Sequence, residues 1–382
     1  MTTFQQRRHG GATKGQKLCV AQILPALQEG GVERGTLEIS EALTRSGHRS
    51  LVISAGGGMV ETLRSHGADH VQMPVGDKSL WSFRLVPELR RLLVEAQVDI
   101  LHARSRFPAW LAFLAWRGLP PLGRPRFVTT VHGLYSVNAY SAVMTRGERV
   151  IAVSKAVRRY LLDNYRRLDP ERIEVIHRGV DDAVFYPEYR PHPDWTSRWT
   201  SVYPALTGRV VVTLAGRLTR LKGHEDFIEI ISRLSGEGLP VHGLVVGGDM
   251  GKRRRYAASL KAAVARRGLP VTFAGRRSDL RDIFATTDVV VSLSRKPESF
   301  GRTVLEALAL GVPVVGYDHG GVGEILEACF PQGAVPPGDL QAVVNAILHI
   351  HTQNIKVQTR NPFPLDRMLE ATLRIYEKLS AA

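Results

Sequence analysis

Short apolar runs alternate with longer amphipathic runs along most of the chain, and this alternation constrains the fold more than any other feature. The first series begins with a predicted strand at 18–24, a Gly30-Gly31 turn, a helix at about 32–46 and a strand at 50–54. A second series begins at residue 210. Strands joined through helices run parallel and are covered on both faces. The sequence therefore predicts an α/β protein with two doubly wound sheets.

The length and one irregular segment indicate how the chain divides. A chain of 382 residues exceeds what one hydrophobic core usually holds, so two domains are expected. The segment 183–207 interrupts the alternation with several prolines and with Trp195 and Trp199, which favours a linker. The predicted parts are a disordered basic tail at 1–17, a first domain at 18–182, the linker, a second domain at 208–365 and a final helix at 366–382.

The charge and the cysteine content limit the classes of function. A net charge of +15 and a pI near 10.1 favour partners such as nucleic acid, anionic membranes or phosphorylated small molecules. Cys19 and Cys329 stand alone, which argues against a disulfide framework or a zinc site and favours a reducing compartment. The first 17 residues lack an apolar core, and no run reaches the ~18 apolar residues of a membrane span. A cytoplasmic protein is expected.

The segment 297–315 carries the clearest site in the second half. Glu298 lies in a Gly-containing turn, and Glu306 follows about two helical turns later. Backbone N–H groups near the start of this helix have no intrahelical partner and would meet oxygens of a ligand. Ionised carboxylates accept hydrogen bonds from several hydroxyls, so the pattern predicts a site for a hydroxyl-rich ligand. The residues expected to contact that ligand are Glu298, Ser299, Phe300, Gly301, Arg302, Thr303 and Glu306.

Cations follow two other predicted strands of the second half. Arg217 and Lys222 lie in the loop after the strand at 210–215, where a fork and a point charge can converge on one anion. Arg276 follows the strand at 271–273. No Asp-x-Asp motif and no metal-spaced cluster accompanies them, so Arg217 and Lys222, together with helix N-termini, would neutralise an anion without a metal.

The first half offers fewer candidates. Gly30 and Gly31 form a turn between a strand and a helix, where backbone amides can approach a phosphate. His132 lies at the carboxyl end of the strand at 127–131, His102 ends the strand at 100–102, and Arg104 follows two residues later. Ligands bind at such strand ends in open α/β sheets.

These segments resemble the glycosyltransferases of the GT-B fold, specifically the retaining enzymes of glycosyltransferase family 4. The resemblance implies two Rossmann-like domains facing an interdomain cleft, with the C-terminal helix crossing back to the first domain. It implies that Arg217 and Lys222 hold the donor diphosphate, that Glu306 holds the ribose, and that Glu298 holds the donor sugar. It also implies that the region of Arg276 grips the base, that His132 lies near the sugar, and that the first domain, with His102 and Arg104, faces the acceptor.

The implied activity is metal-independent, cofactor-free transfer of a hexose-type sugar from a nucleoside diphosphate sugar to a saccharide, with retention. A UDP-sugar is the favoured donor and a GDP-sugar the second choice. The expected setting is bacterial lipopolysaccharide core or another cell-envelope glycan, with a phosphorylated or lipid-linked acceptor. A GT-B sugar-nucleotide epimerase is the alternative enzyme, and a basic nucleic-acid-binding protein is the alternative of another class.

A basic and aromatic segment points to the membrane. Arg84, Arg90 and Arg91 flank Trp81 and Phe83 in the first half, and Trp110 and Trp116 follow. Such a surface suits an anionic bilayer, so peripheral association with the inner membrane is a further expectation.

Overall fold

The computed structural model describes residues 17–28, 30–248, 254–357 and 361–381. Almost all of the predicted tail at 1–17 lies outside the described residues. The chain forms two compact units. Unit 1 comprises Met1–His177 and Asp366–Ala382, and unit 2 comprises Arg178–Leu365.

Unit 1 is built on a seven-stranded parallel sheet with the strand order β3-β2-β1-β4-β5-β6-β7. Its strands are β1 (Cys19–Ile23), β2 (Arg49–Ser54), β3 (Asp69–Gln72), β4 (Ile100–Ala103), β5 (Arg126–Val131), β6 (Arg149–Ala152) and β7 (Ile173–Val175). Its helices are α1 (Gly31–Arg45), α2 (Val60–Ser65), α3 (Leu85–Glu95), α4 (Arg106–Arg117) and α5 (Lys155–Asn164), joined later in the chain by the final helix.

The central strands of unit 1 read as continuous apolar runs because helices cover both faces of the sheet. Every residue of β1 is buried, and β1 pairs in parallel with β2 on one side and β4 on the other. The last helix of the chain, α13 (Leu365–Ala381), belongs to this unit, and its apolar face buries Met368, Ile375 and Tyr376. The predicted return of the C-terminal helix to the first domain is therefore confirmed.

Unit 2 contains a six-stranded parallel sheet with the order β10-β9-β8-β11-β12-β13. Its strands are β8 (Val210–Ala215), β9 (Val241–Val246), β10 (Val271–Gly275), β11 (Val289–Ser292), β12 (Val314–Tyr317) and β13 (Ala334–Val335). Its helices are α6 (Pro193–Val202), α7 (His224–Gly236), α8 (Arg254–Arg267), α9 (Leu280–Ala285), α10 (Arg302–Ala309), α11 (Gly320–Cys329) and α12 (Leu340–Thr352). The predicted α/β architecture with two parallel sheets is confirmed.

The segment 183–207 is part of unit 2 and not an extended linker, which corrects the prediction. It contains α6, which begins at Pro193 because proline is tolerated in the first helical turn. Trp199 and Leu206 are buried against Val211 and Leu244 of the sheet. Pro193 and Pro204, two of the prolines that suggested a linker, start helical turns, and Trp199 supplies the apolar area that holds the segment in place.

Candidate functional site

The predicted cations and carboxylates of unit 2 lie in loops that leave neighbouring strands at the same edge of the sheet. Lys222 follows β8, Glu298 follows β11, and β8 and β11 pair directly in parallel. Because parallel strands place their carboxyl ends on one edge, residues some 76 positions apart in sequence meet there.

Lys222 and Glu298 form an ion pair. The ammonium Nζ of Lys222 donates to Oε1 of Glu298 at 2.7 Å, and each side chain is 24% exposed. The hydroxyl of Ser294 also donates to Glu298 Oε1. His319 donates its Nε2–H to the carbonyl of Ser294 at 2.8 Å, which ties the loop after β12 to the loop after β11. The result is a partly exposed cluster of polar side chains contributed by three loops.

The electrostatic surroundings keep Glu298 ionised. Burial alone would raise the pKa of this carboxyl, but the charge and hydrogen bond of Lys222, the Ser294 hydroxyl and the nearby His319 hold it below its ordinary value. A carboxylate that stays ionised acts only as a hydrogen-bond acceptor. Glu298 is therefore suited to bind hydroxyl groups and not to donate a proton.

Glycines allow the backbone to close around Glu298. Gly301 precedes α10 with φ 104°, a left-handed conformation that a side chain rarely adopts, and no side chain caps the helix. A Cβ on Gly321 would lie 2.3 Å from the Cα of Phe300, so only glycine permits this approach. The Gly321 amide donates to the Glu298 carbonyl at 2.8 Å. These contacts hold the segment from Glu298 to the start of α10 against the first residues of α11. Ser299 and Thr303, on either side of the buried Phe300 and Gly301, are half-buried.

Glu306 lies inside α10 and is almost fully buried. Its carboxylate is 3.3 Å from Nε of Arg302, one turn earlier, and the two side chains are 5% and 14% exposed. Phe300 is buried and packs edge-to-face on Phe363. The Arg302–Glu306 pair lies within α10, whereas the Phe300–Phe363 contact ties the segment before α10 to the end of unit 2.

Arg217 and Arg276 are exposed in loops that follow β8 and β10. Among the described residues, no hydrogen bond or ion pair involves the side chain of Arg217. The backbone of Gly216, next to Arg217, packs against the side chain of Lys222, because a Cβ at Gly216 would lie 3.3 Å from Cε of that lysine. Arg217 and Lys222 thus leave one loop as neighbouring positive charges.

Ser294 and His319 complete the environment of Glu298 but were absent from the sequence prediction. A signal for His319 exists: the run His319-Gly320-Gly321 leads from β12 into the start of α11, and it repeats the strand–Gly-Gly–helix pattern of Gly30-Gly31. Ser294 gives no comparable signal, since a lone serine after a strand is common in any α/β loop.

A salt bridge ties the loop after β11, which carries Ser294 and Glu298, to α7. Arg295 binds Asp226 of α7 through two nitrogens, at 2.7 and 3.2 Å. Its backbone N–H also donates to the carbonyl of Leu221 at 2.8 Å, next to Lys222. These contacts fix the distance between the loops that carry Lys222 and Glu298.

In unit 1, Gly30, Gly31 and His132 lie at the carboxyl edge of their own sheet. Gly30 precedes α1 without a capping side chain, and both glycines are exposed. His132 directly follows β5 and is half-buried; its backbone N–H donates to the Tyr135 hydroxyl at 3.3 Å. All three residues therefore lie in loops at the carboxyl ends of strands, which is the place that the sequence predicts; their roles stay predictions.

His102 and Arg104 are fully buried within unit 1. The ring nitrogens of His102 lie 2.6 Å from the hydroxyls of Tyr376 and Thr130, so the histidine joins α13 to β5. Arg104 donates from Nη1 to Gln22 at 2.8 Å, while its Nε and Nη2 contact no acceptor in the described part of the chain. Burial lowers the pKa of Arg104 to about 10. The acceptor-side role expected of these two residues stays a prediction.

Neither a metal site nor a membrane-spanning helix is found among the described residues. Across the described ranges, no group of three or more His, Cys, Asp or Glu residues is arranged to hold a metal ion. Over the same residues, no helix combines the length and apolarity needed to cross a bilayer.

Family models match both halves of the chain. The model described as Glycosyltransferase Family 4 matches residues 29–184, and the model described as Glycosyl transferases group 1 matches residues 209–353. A D-inositol 3-phosphate glycosyltransferase of Rhodococcus erythropolis is 28% identical over 82% of this chain and 73% of its own length. The lipopolysaccharide core biosynthesis mannosyltransferase LpcC of Rhizobium leguminosarum is 28% identical over 54% of this chain and 59% of its own.

Solved structures share the fold over nearly the whole chain. A glycosyltransferase from Rickettsia africae is 29% identical, with a TM-score of 0.81 over 95% of this chain and 98% of its own. Anabaena HepE, solved with UDP and glucose, is 21% identical, with a TM-score of 0.80 over 94% of this chain and 100% of its own. The chain therefore belongs to the family 4 glycosyltransferases of the GT-B fold.

Proposed function

We propose that the protein transfers a hexose-type sugar from a nucleoside diphosphate sugar to a saccharide acceptor with retention of configuration. The observation that carries the proposal is the Lys222–Glu298 pair beside the uncapped start of α10. It sets a cation for phosphate next to a carboxylate and backbone amides for sugar hydroxyls. The ammonium has three N–H donors, and only one is needed for Glu298.

The residues of unit 2 divide the donor among them. Arg217 and Lys222 bind the diphosphate and stabilise the negative charge that grows on it as the sugar leaves. Glu298 and the amides of Phe300 and Gly301 bind sugar hydroxyls, and Glu306 binds the ribose. The remaining donor contacts within unit 2 come from Arg276, Ser299, Arg302 and Thr303.

The reaction needs no protein nucleophile. The acceptor oxygen forms the new bond to the anomeric carbon, the bond from that carbon to the phosphate oxygen breaks, and the acceptor proton passes to the leaving phosphate on the same face. The depressed pKa of Glu298 fits a binding role and not a proton-transfer role. His132 lies near the transferred sugar, and His102 acts behind it by holding Thr130, two residues before His132.

The cations take the place of a metal, so transfer is metal-independent. A UDP-sugar is the favoured donor, because HepE was solved with UDP and glucose; a GDP-sugar is the second choice. The likeness to LpcC supports an acceptor of the lipopolysaccharide core or another cell-envelope glycan. The reaction is placed in the cytoplasm.

The exposed aromatic segment supports peripheral binding to the inner membrane. Leu80 and Trp81 are 86% and 77% exposed, beside the exposed Arg84. Trp110 and Trp116 instead donate their ring N–H groups to backbone carbonyls and are half-buried, so they serve packing. Co-sedimentation with anionic vesicles at low salt, lost at high salt and in Trp81→Ser, would support this placement; equal sedimentation of the variant would contradict it.

Donor screening followed by product analysis tests the activity. UDP-, GDP- and ADP-sugars are compared by thermal shift, since a ligand of the native state raises the melting temperature. Transfer to core saccharides is then followed by NMR, with chelator present. We expect the donor's anomeric configuration in the product. Inversion, loss of transfer with chelator, or interconversion of the donor sugar without acceptor would overturn the proposal, the last in favour of an epimerase.

A further inference from the structure

A cavity lies in unit 1, at the edge of the sheet opposite to the edge that carries His132. It has a volume of about 600 Å³. Its walls come from the last turns of α4, the end of α5 and the segments that lead into β6 and β7. All of these lie at the amino ends of the strands, whereas His132 follows the carboxyl end of β5. The cavity is therefore separate from the edge that carries the proposed site residues of unit 1.

The charge in this cavity is strongly one-sided. It is lined by Arg146, Arg166, Arg167 and Arg172, and Asp163 is the acid among its lining residues. Arg146, Arg166 and Arg167 are exposed, and no hydrogen bond or ion pair in the described part of the chain involves their side chains. Arginine guanidinium groups bind phosphate oxygens in pairs, so several around one cavity favour a doubly charged phosphate.

Two aromatic side chains also line the cavity, and contacts within the protein hold them in place. Phe113 and Trp116 stack with their ring centroids 5.9 Å apart, and the Trp116 ring N–H donates to the Pro125 carbonyl at 2.7 Å. Arg172 is fixed by a hydrogen bond to the Gly147 carbonyl. A cavity lined by both guanidinium groups and aromatic side chains suits a ligand with a phosphate and a less polar body, such as a sugar ring.

We propose that this cavity binds a phosphate monoester carried by a sugar or by a lipid headgroup. The guanidinium groups of Arg146, Arg166 and Arg167 bind the phosphate, and Phe113 and Trp116 contact the body of the ligand. The inference goes beyond the proposed function and does not rest on it, because binding here involves neither the sugar-nucleotide donor nor any residue assigned to transfer.

Another role exists for part of the cluster. Arg166 and Arg167 follow the C-terminus of α5, where positive charge stabilises the helix dipole. That role requires neither a cavity nor Arg146. Loss of melting temperature without loss of ligand binding in variants of the two arginines would therefore identify it.

The test measures binding of the full chain in two arms. One arm titrates glucose 1-phosphate, with glucose as the uncharged control, by calorimetry. The other uses phosphatidylcholine vesicles that contain phosphatidic acid, a monoester, or phosphatidylglycerol, a diester. Binding to glucose 1-phosphate assigns a soluble source, and preference for phosphatidic acid over phosphatidylglycerol assigns a lipid source. Absence of both overturns the proposal.

Three variants locate the site. Arg166→Glu/Arg167→Glu should weaken binding about tenfold or more, since each lost guanidinium–phosphate contact removes a charged hydrogen bond. Arg254→Glu/Arg255→Glu changes the net charge equally at two exposed arginines of α8 in unit 2, and should leave binding unchanged. Equal weakening by the two pairs would show that only overall charge matters.

The third variant, Thr145→Trp, fills the cavity without changing its charge. Thr145 lines the cavity and donates its hydroxyl to the Ala142 carbonyl. We expect loss of binding with a melting temperature near that of the unmodified protein. Unchanged binding in this variant would show that the ligand sits on the arginine surface and not in the cavity, and would overturn the assignment.

Discussion

The two units treat the polar residues at their strand ends in opposite ways. In unit 2, Lys222 and Glu298 pair with each other but stay partly exposed, and Arg217 is open to solvent. In unit 1, His102 lies near the end of β4 and Arg104 directly follows that strand, yet both are fully buried. Position at a strand end is therefore not sufficient for a binding site, because exposure decides whether the side chain can contact a ligand.

The largest effect is expected at the open end of this comparison. Lys222→Ala should lower kcat for sugar transfer about 100- to 1,000-fold, because the lost charge stabilises the leaving diphosphate more than the bound donor. Steady-state kinetics with saturating acceptor give kcat and KM separately. Arg220→Ala is the control: this cation is two residues away and contacts Tyr256 and Glu225 instead of Glu298. Equal losses in both variants would contradict a specific role for Lys222.

The buried end of the comparison predicts an effect on stability. Arg104→Ala should lower the free energy of unfolding by about 2–5 kcal/mol, because it leaves a cavity and removes the partner of Gln22. Arg104→Met should cost clearly less, since it fills the space and removes guanidinium nitrogens that contact no acceptor among the described residues. Urea denaturation measures both. An equal loss for methionine and alanine would show that the missing charge and hydrogen bond, and not the cavity, cause the destabilisation.

Much of the fold was predictable because strong apolar patterns decide the central strands. β8 occupies its predicted range of 210–215, since five of its six residues form a continuous buried run. β3, with the polar sequence Asp-His-Val-Gln, was missed because an edge strand needs little apolar area. α11 was missed because it begins with Gly-Gly-Val-Gly, a poor helix sequence that is needed for its close approach to Phe300.

The site shows the same limit. The sequence placed Lys222 and Glu298 in two loops, but the ion pair between them depends on the pairing of β8 with β11. The burial of Arg104 depends on residues from β1 and α13, which lie far away in the sequence. Contacts of this kind arise from the tertiary packing, which local patterns do not encode.

An intermediate effect is expected at Glu306, which combines features of both regions. It belongs to unit 2 but is nearly as buried as Arg104. Glu306→Gln should weaken nucleoside diphosphate binding by about 1–3 kcal/mol, because ribose hydroxyls would lose a charged acceptor. Calorimetry with the nucleoside diphosphate measures this loss. Arg302→Met removes the salt-bridge partner of Glu306. This variant tests whether the carboxylate serves the salt bridge and not the ligand. Unchanged affinity in Glu306→Gln would remove this residue from the donor site.

The smallest effect is expected from acid, and it tests whether the Lys222–Glu298 pair stabilises unit 2. The folded-state pKa of Glu298 lies below its unfolded value; burial opposes this shift, and Lys222 and Ser294 more than offset it. A lowered pKa contributes stability that is fully present above the unfolded value of about 4.3 and is lost as the pH falls through the folded value. Urea unfolding of the unmodified protein and of Glu298→Gln between pH 7 and pH 3 should therefore converge as the solution is acidified. The contribution is small because both side chains are partly exposed and water screens the pair. Parallel curves would show that the pair is electrostatically neutral for folding, and that Glu298 is held ionised for its ligand alone.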